Sequence, residues 1–194
     1  MSLSDEQLML QVSKGDQKAF EELFIRYKSK VLTYIVRMCG NQAVAEEIFQ
    51  EVFLRLYRFA PQYKALAKFS TFLYRIATNL CINELKRKKR FSVFSLTKVE
   101  QGDPELHFFN EQSIVSAEKS PEELVLSAEL QQHLQKAVNQ LPGQMRATLI
   151  LSELEGKRYD EIAAILECSV GTIKSRINRS RTKILTYLSK HDIL

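Results

Sequence analysis

The sequence predicts an all-α protein made of two small helical domains that an extended linker joins. Gly (6) and Pro (4) are scarce among the 194 residues, whereas Leu, Glu, Lys and Arg, which favour helices, are abundant. Apolar residues recur at spacings of three and four in both halves of the chain, and no strand pattern interrupts them. Residues 91–121 lose this periodicity over a length that is unusual for a connection inside one domain, so we expect a linker there.

Four helices are predicted in the first half of the chain. A short helix has Asp5 as its expected N-cap, and Asp16 is the expected N-cap of a long second helix. A third helix is predicted over 44–59. The fourth follows a loop and has Ser70 or Thr71 as its expected N-cap.

Two helices and a helix-turn-helix are predicted after the linker. Ser120 and Pro121 are typical of the start of a helix, which continues to Pro142, and a further helix is expected over 144–154. Residues 159–166 then form a short helix that a turn separates from a second helix. The second helix has Ser169 as its expected N-cap and an inner face of small or apolar residues, namely Ile173, Ile177, Ser180 and Ile184.

Charge is distributed unevenly along the chain. The 28 basic and 23 acidic side chains give a formal net charge of +5. Residues 1–90 carry +7, residues 91–130 carry −6 and residues 131–194 carry +4. Two basic blocks around an acidic one favour two anion-binding modules on a polar connector, with uneven surface charge on an ordinary protein as the alternative.

Several classes of protein are excluded. The longest uncharged stretch is nine residues, too short to span a membrane, and the first residues lack the pattern of a secretory signal. Three scattered cysteines indicate free thiols in a reducing cytoplasm, and three scattered histidines lack the spacing of a zinc site. There is no phosphate-binding loop and no catalytic triad. We therefore expect no enzyme, no metal and no cofactor.

The second helix of the helix-turn-helix has a polar outer face. At 100° per residue, Ser175, Asn178, Arg179 and Thr182 point away from the buried line, and Lys174, Arg176 and Arg181 lie on its flanks. Ser, Asn and Arg can bond base edges in the major groove, and the flanking cations can hold phosphates. This pattern favours DNA binding over a merely solvated basic face.

Two further patterns occur in the first half. Glu46, Glu47, Gln50 and Glu51 form an acidic stripe, for which solvated helix surface is the plain interpretation. The segment YKALAKFSTFLYRIATN interleaves cations with aromatic rings, an arrangement that suits single-stranded DNA because bases stack on rings while cations hold the backbone. Some of these rings, Phe72 among them, are expected to be core residues instead.

Taken together, these segments resemble the extracytoplasmic-function sigma factors of bacterial RNA polymerase, of the sigma-E type. Four segments carry the resemblance in order: GDQKAFEELFIRY, AEEIFQEVFLRLYR, STFLYRIATNLCINELKRKKR and LPGQMRATLILSELEGKRYDEIAAILECSVGTIKSRINRSR. The resemblance implies sigma domain 2 over 1–90, an acidic linker over 91–121 and sigma domain 4 over 122–194. Phe72 is a departure, because many members have Trp at that position.

The resemblance also implies roles for individual residues. Three residues would bind core polymerase: Glu47, Gln50 and Glu51. Ten would contact the −10 promoter element: Arg55, Tyr63, Lys64, Lys68, Phe69, Ser70, Thr71, Tyr74, Arg75 and Asn79. Seven would contact the −35 element: Thr172, Lys174, Ser175, Arg176, Asn178, Arg179 and Arg181.

Function and partners follow from the same resemblance. A cytoplasmic protein would bind core RNA polymerase, recognise both promoter elements, promote melting and start transcription of a stress or envelope-type regulon. Its partners would be core polymerase, promoter DNA and an anti-sigma factor, without membrane insertion. Two alternatives remain at this stage: a stand-alone helix-turn-helix regulator with a ligand-sensing N-terminal domain, and an inactive homologue that sequesters a partner.

Overall fold

The computed structural model describes residues 3–94 and 121–193, and within them all regular structure is helical. The bounds of the helices are α1 Asp5–Val12, α2 Gln17–Cys39, α3 Gln42–Phe59, α4 Phe69–Phe94, α5 Pro121–Asn139, α6 Gly143–Leu149, α7 Tyr159–Leu166 and α8 Val170–Lys190. A 3₁₀ turn, Ala60–Gln62, follows α3, and a π-helical turn, Ile150–Leu154, extends α6. The all-α prediction is confirmed, while Ser120 and most of the predicted linker lie outside the described residues.

Local capping signals explain where α1 and α2 begin. Asp16 caps α2 as predicted, because its carboxylate accepts the backbone N–H groups of Lys18 (2.9 Å) and Ala19 (3.2 Å). The prediction for α1 was wrong by one residue, since Ser4 and not Asp5 is the N-cap. Ser4 and Gln7 exchange side-chain to backbone hydrogen bonds in a capping box, which a single-residue preference for Asp does not reveal.

A tertiary contact sets the start of α4. Neither Ser70 nor Thr71 is its N-cap, because the helix already begins at Phe69. The carboxylate of Glu6 on α1 accepts the Phe69 backbone N–H at 2.8 Å, so a neighbouring helix satisfies this end. At its other end α4 continues to Phe94, beyond the predicted boundary at residue 90.

The first four helices enclose one apolar core. Val31 and Ile35 of α2, Val52 and Leu56 of α3, and Leu73 of α4 are completely buried. Aromatic rings fill the space between α2 and α3, where Phe24 and Phe53 meet edge to face with centroids 4.8 Å apart. None of the helices within the described ranges is long and apolar enough to cross a membrane.

The two helical domains pack directly on each other along α4. Gly143, at the start of α6, lies so close to α4 that an added Cβ would be 3.4 Å from side-chain carbons of Ile82 and Leu85. The buried apolar cluster therefore runs without a break from the first domain into Ile162 and Ile165 of α7. The fold consequently places the helix-turn-helix against the helix that carries the predicted −10 residues.

Candidate nucleic-acid interface

Helix α8, the second helix of the helix-turn-helix, begins where the sequence predicts. Ser169 caps it, its hydroxyl accepting the Thr172 backbone N–H at 3.1 Å. Of the predicted inner face, Ile173, Ile177 and Ser180 are buried, with exposed fractions of 0–1%, whereas Ile184 is half-buried. These contacts fix the rotation of the helix about its axis, so its opposite face points to solvent.

The outer face of α8 presents free polar groups. Lys174, Asn178 and Arg179 are exposed, whereas Thr172, Ser175 and Arg176 are half-buried. Among the described residues, no hydrogen bond or ion pair engages the side-chain nitrogens of Lys174, Asn178 or Arg179. These donors are therefore available to base edges and phosphates.

Two further cations of this surface are held within their own domain. The Arg176 guanidinium donates to the Gln144 side chain (3.2 Å), and that of Arg181 pairs with Glu153 (2.8 Å). Arg181 and Glu153 are both exposed, so that pair contributes little to stability and can be exchanged for a phosphate.

The two ends of α7 bring carboxylates towards the other domain. Glu167 ends α7 in the left-handed region (φ 52°), and the next N–H, that of Cys168, bonds back to the Ala163 carbonyl at 3.1 Å. At the other end of α7, the Glu161 carboxylate accepts the Arg158 backbone N–H at 3.1 Å. Glu161 and Glu167 thus lie at opposite ends of the helix that contacts α4.

The aromatic residues predicted for the −10 element are mostly buried. Phe69 has no exposed surface and packs on Tyr27 with ring centroids 5.3 Å apart. Tyr63 packs on Phe72 with ring centroids 5.7 Å apart, and no described residue provides a hydrogen-bond partner for its hydroxyl. Burial raises the pKa of Tyr63. In this conformation Tyr63 and Phe69 therefore belong to the core of the first domain.

Tyr74 is buried at the contact between the domains. Its ring meets Tyr34 at 5.2 Å, and its hydroxyl donates to the Glu155 carboxylate at 2.9 Å. Glu155 also accepts from Arg37 at 3.0 Å, and the Lys157 ammonium lies 4.9 Å from the centre of the Tyr74 ring. Burial, followed by the neighbouring Glu155 charge, raises the pKa of Tyr74.

The polar residues predicted for the −10 element divide into two groups. Lys64 and Asn79 are exposed, Ser70 is half-buried and Thr71 is buried. Three cations are paired instead: Arg55 with Glu51 (2.6 Å), Lys68 with Glu161 (2.7 Å) and Arg75 with Glu167 (2.9 Å). Two of these pairs cross between the domains.

The acidic stripe predicted for polymerase binding lies on α3. Glu47 and Gln50 are exposed, and Glu51 is half-buried beside Arg55 one turn further along the helix. The opposite face of α3 packs in the core, so the stripe remains open to solvent. Its side-chain oxygens can accept hydrogen bonds from a basic partner surface.

Sequence reasoning missed the residues that join the domains. Arg37, Arg146, Glu155, Glu161 and Glu167 all make interdomain contacts. No local signal separates them from surface charges, because their partners lie up to 118 positions away in the chain. Within the described residues, no group of three His, Cys, Asp or Glu side chains could hold a metal ion.

Comparison with known protein families matches both domains. Residues 23–91 match the model of sigma-70 region 2, and residues 131–184 match a model of sigma-70 region 4. The chain is 35% identical to the RNA polymerase sigma-H factor of Pseudomonas aeruginosa over 180 residues, 93% of this chain and 91% of the relative. It is 37% identical to the ECF RNA polymerase sigma-E factor of Escherichia coli K12 over 182 residues, 94% and 93% of the two chains.

Solved structures have the same fold. The sigma factor RpoE of Bartonella quintana, crystallised with the anti-sigma factor NepR, matches with a TM-score of 0.62 and 21% identity, over 89% of this chain and 98% of that one. CnrH, solved with the cytosolic domain of CnrY, matches with a TM-score of 0.65 and 21% identity, over 96% and 97%.

Proposed function

The chain belongs to the extracytoplasmic-function sigma factors, and we propose that it directs core RNA polymerase to promoters by reading a −35 and a −10 element. The observation that carries this proposal is the outer face of α8. Lys174, Asn178 and Arg179 are exposed there on a helix whose opposite side is fixed in the core. A helix held in this way can enter a major groove with a defined set of donors.

The −35 role has a direct test in Arg179. Changing Arg179 to Ala removes an exposed fork of donors and leaves the buried line of α8 intact. A lost bidentate contact to a base would cost about 1–3 kcal/mol, or roughly fivefold to 150-fold in −35-dependent transcription. Binding of the variant to core polymerase, measured by co-purification, should be unchanged, and an equal loss there would refute the assigned role.

The −10 role is assigned to the loop before α4 and to the α4 surface. Lys64 and Asn79 are exposed, and Lys68 and Arg75 are cations with suitable reach once their carboxylate partners are displaced. Extruding a base from the duplex costs a few kcal/mol, on the order of the stacking and bonding that a pocket can return. Capture of a displaced base would thus couple recognition to melting.

Binding to core polymerase is assigned to the acidic stripe. Glu47 and Gln50 are exposed on α3, and a basic surface on the polymerase would complement them. We expect Glu47→Lys to weaken association with core while leaving α8 and its binding to duplex DNA unchanged. Joining two weak DNA contacts through one polymerase raises their effective concentration, so spaced elements are read together.

One experiment tests the whole proposal. The protein is mixed with core polymerase, and start sites are mapped on genomic DNA. New start sites that depend on the chain support the proposal, whereas no association with core and no new start sites would refute it. A gel shift with duplex DNA in the absence of core identifies a stand-alone regulator, which would bind tightly by itself.

The remaining parts of the proposal concern its setting. The protein would act in the cytoplasm, where polymerase and promoter DNA are present, and would itself catalyse no reaction. The RpoE and CnrH structures each contain a second protein, named as an anti-sigma factor for RpoE. By analogy we propose an anti-sigma factor as the regulatory partner, and a stress or envelope-type set of genes as the target.

A further inference from the structure

The helix-turn-helix presents carboxylates to cations that would hold the −10 strand. The Lys68 ammonium is 2.7 Å from the Glu161 carboxylate, and the Arg75 guanidinium is 2.9 Å from that of Glu167. Arg75 also donates to the Ala164 carbonyl at 2.8 Å. The first helix of the helix-turn-helix therefore contacts both cations from one side.

The carboxylates of Glu161 and Glu167 resemble a DNA phosphate in the hydrogen bonds that they accept. A carboxylate offers two anionic oxygens to an ammonium or guanidinium group, as a phosphate does, and both accept charge-assisted hydrogen bonds of similar length. Lys68 pairing lowers the pKa of Glu161, so this group is ionised at neutral pH. Lys68 and Arg75 are therefore each already paired with a carboxylate of the same chain.

Exposure of the two ion pairs makes the contact reversible. The side chain of Lys68 is 68% exposed and that of its partner Glu161 is 22% exposed, whereas Glu167 is 64% exposed and its partner Arg75 is 35% exposed. Water and salt reach the more exposed member of each pair, so each pair contributes only modestly and a phosphate can replace a carboxylate.

We propose that Glu161 and Glu167 are internal competitors of DNA, which occupy Lys68 and Arg75 and reduce binding of single strands by the free chain. The inference rests on the proposed function, because it takes Lys68 and Arg75 as contacts of the −10 strand. Binding of a strand there and the docking of α7 on α4 are then mutually exclusive at these two cations. The free protein is self-inhibited at its −10 surface.

The test measures binding of a labelled single-stranded DNA of 20 mixed-sequence nucleotides by fluorescence anisotropy at low salt. The variant E161Q/E167Q keeps an acceptor oxygen for the Arg158 N–H and removes both charges. Its affinity should rise about threefold to tenfold, as expected when two exposed pairs are lost. Circular dichroism and a thermal melt establish that it folds.

A matched control separates competition from net charge. Asp160 pairs with Arg158 of its own domain and Asp192 is exposed near the end of α8, so D160N/D192N also removes two negative charges. The affinity of this variant should rise by less than about twofold. An equal rise in both double variants, or no rise in E161Q/E167Q, would overturn the inference.

A double-mutant cycle locates the effect. When Lys68 and Arg75 are both Ala, the E161Q/E167Q change should raise affinity by no more than the charge control does, and an undiminished rise would also overturn the inference. Transcription by wild-type chain with core polymerase distinguishes the two proposals. Its absence would overturn both, whereas active transcription with an unchanged E161Q/E167Q affinity would overturn the competition alone.

Discussion

Replacing Arg146 by Met tests how the two domains are held together. Arg146 is 4% exposed, and its guanidinium donates to the Met38 carbonyl at 2.8 Å and to the Asn139 carbonyl. These carbonyls lie in the last turns of α2 and α5, where helices leave acceptors without intrahelical partners. Met fills a similar volume and can donate to neither carbonyl, so R146M leaves one carbonyl near the end of each helix without its donor.

The expected magnitude follows from the two hydrogen bonds. A charged donor contributes about 1.5–3 kcal/mol per bond, so two such bonds give roughly 3–6 kcal/mol. Burial of the guanidinium opposes this gain, and the same desolvation lowers the pKa of Arg146 to about 10. We expect R146M to lower the free energy of unfolding by about 2–4 kcal/mol after this offset.

Urea unfolding followed by circular dichroism at the helix band measures this loss. R58M is the control, because Arg58 is exposed on α3, and its unfolding free energy should change by less than about 0.5 kcal/mol. R146K keeps the charge but lacks the planar fork, so it should lose about 1–3 kcal/mol. The reasoning is refuted if R146K equals the wild type or if R146M loses less than about 1 kcal/mol.

Further predictions concern single contacts of the interface. Tyr74→Phe removes the hydroxyl that donates to Glu155, and urea unfolding should show a loss of about 1–2 kcal/mol. Pairing with Lys68 lowers the pKa of Glu161 below its ordinary 4.5, so ionised Glu161 stabilises the folded state. This contribution is present above about pH 4.5 and is lost as the pH falls below it. The difference in unfolding free energy between wild type and E161Q should therefore shrink towards pH 3 in an acid titration. Ser169→Ala removes the N-cap of α8 and should lower the free energy of unfolding, measured by a thermal melt, by about 1 kcal/mol.

Features that depend on nearby residues could be predicted from the sequence. The buried line of α8 and its caps follow from helical spacing and from short polar side chains at a helix start. Asp16 and Ser169 are confirmed as N-caps for this reason. The family resemblance was likewise recoverable, because the four segments that carry it span most of the chain.

Features that depend on tertiary packing, within the first domain or between the domains, could not be predicted. The sequence identifies Tyr63, Phe69 and Tyr74 as rings beside cations, which suits base stacking, but spacing does not say what covers them. In the structure α4 contacts helices of both domains, and these three rings are buried. The Phe69 N–H at the start of α4 and the Met38 carbonyl near the end of α2 are similarly satisfied by Glu6 and Arg146, which are distant in sequence.

The two surfaces that we propose as DNA contacts differ in whether their cations are already paired, and this difference predicts which form of DNA the free chain binds more tightly. Lys174 and Arg179 on α8 are exposed and unengaged among the described residues, whereas Lys68 and Arg75 are paired with carboxylates. A surface that must first release internal ion pairs binds more weakly by the free energy of that release. The free chain should therefore bind duplex DNA more tightly than a single strand of equal phosphate number. Anisotropy with matched duplex and single-stranded probes measures the ratio, and E161Q/E167Q should reduce it by raising single-strand affinity more than duplex affinity. A single strand that binds the wild type as tightly as duplex would contradict this prediction, because both surfaces would then be equally accessible.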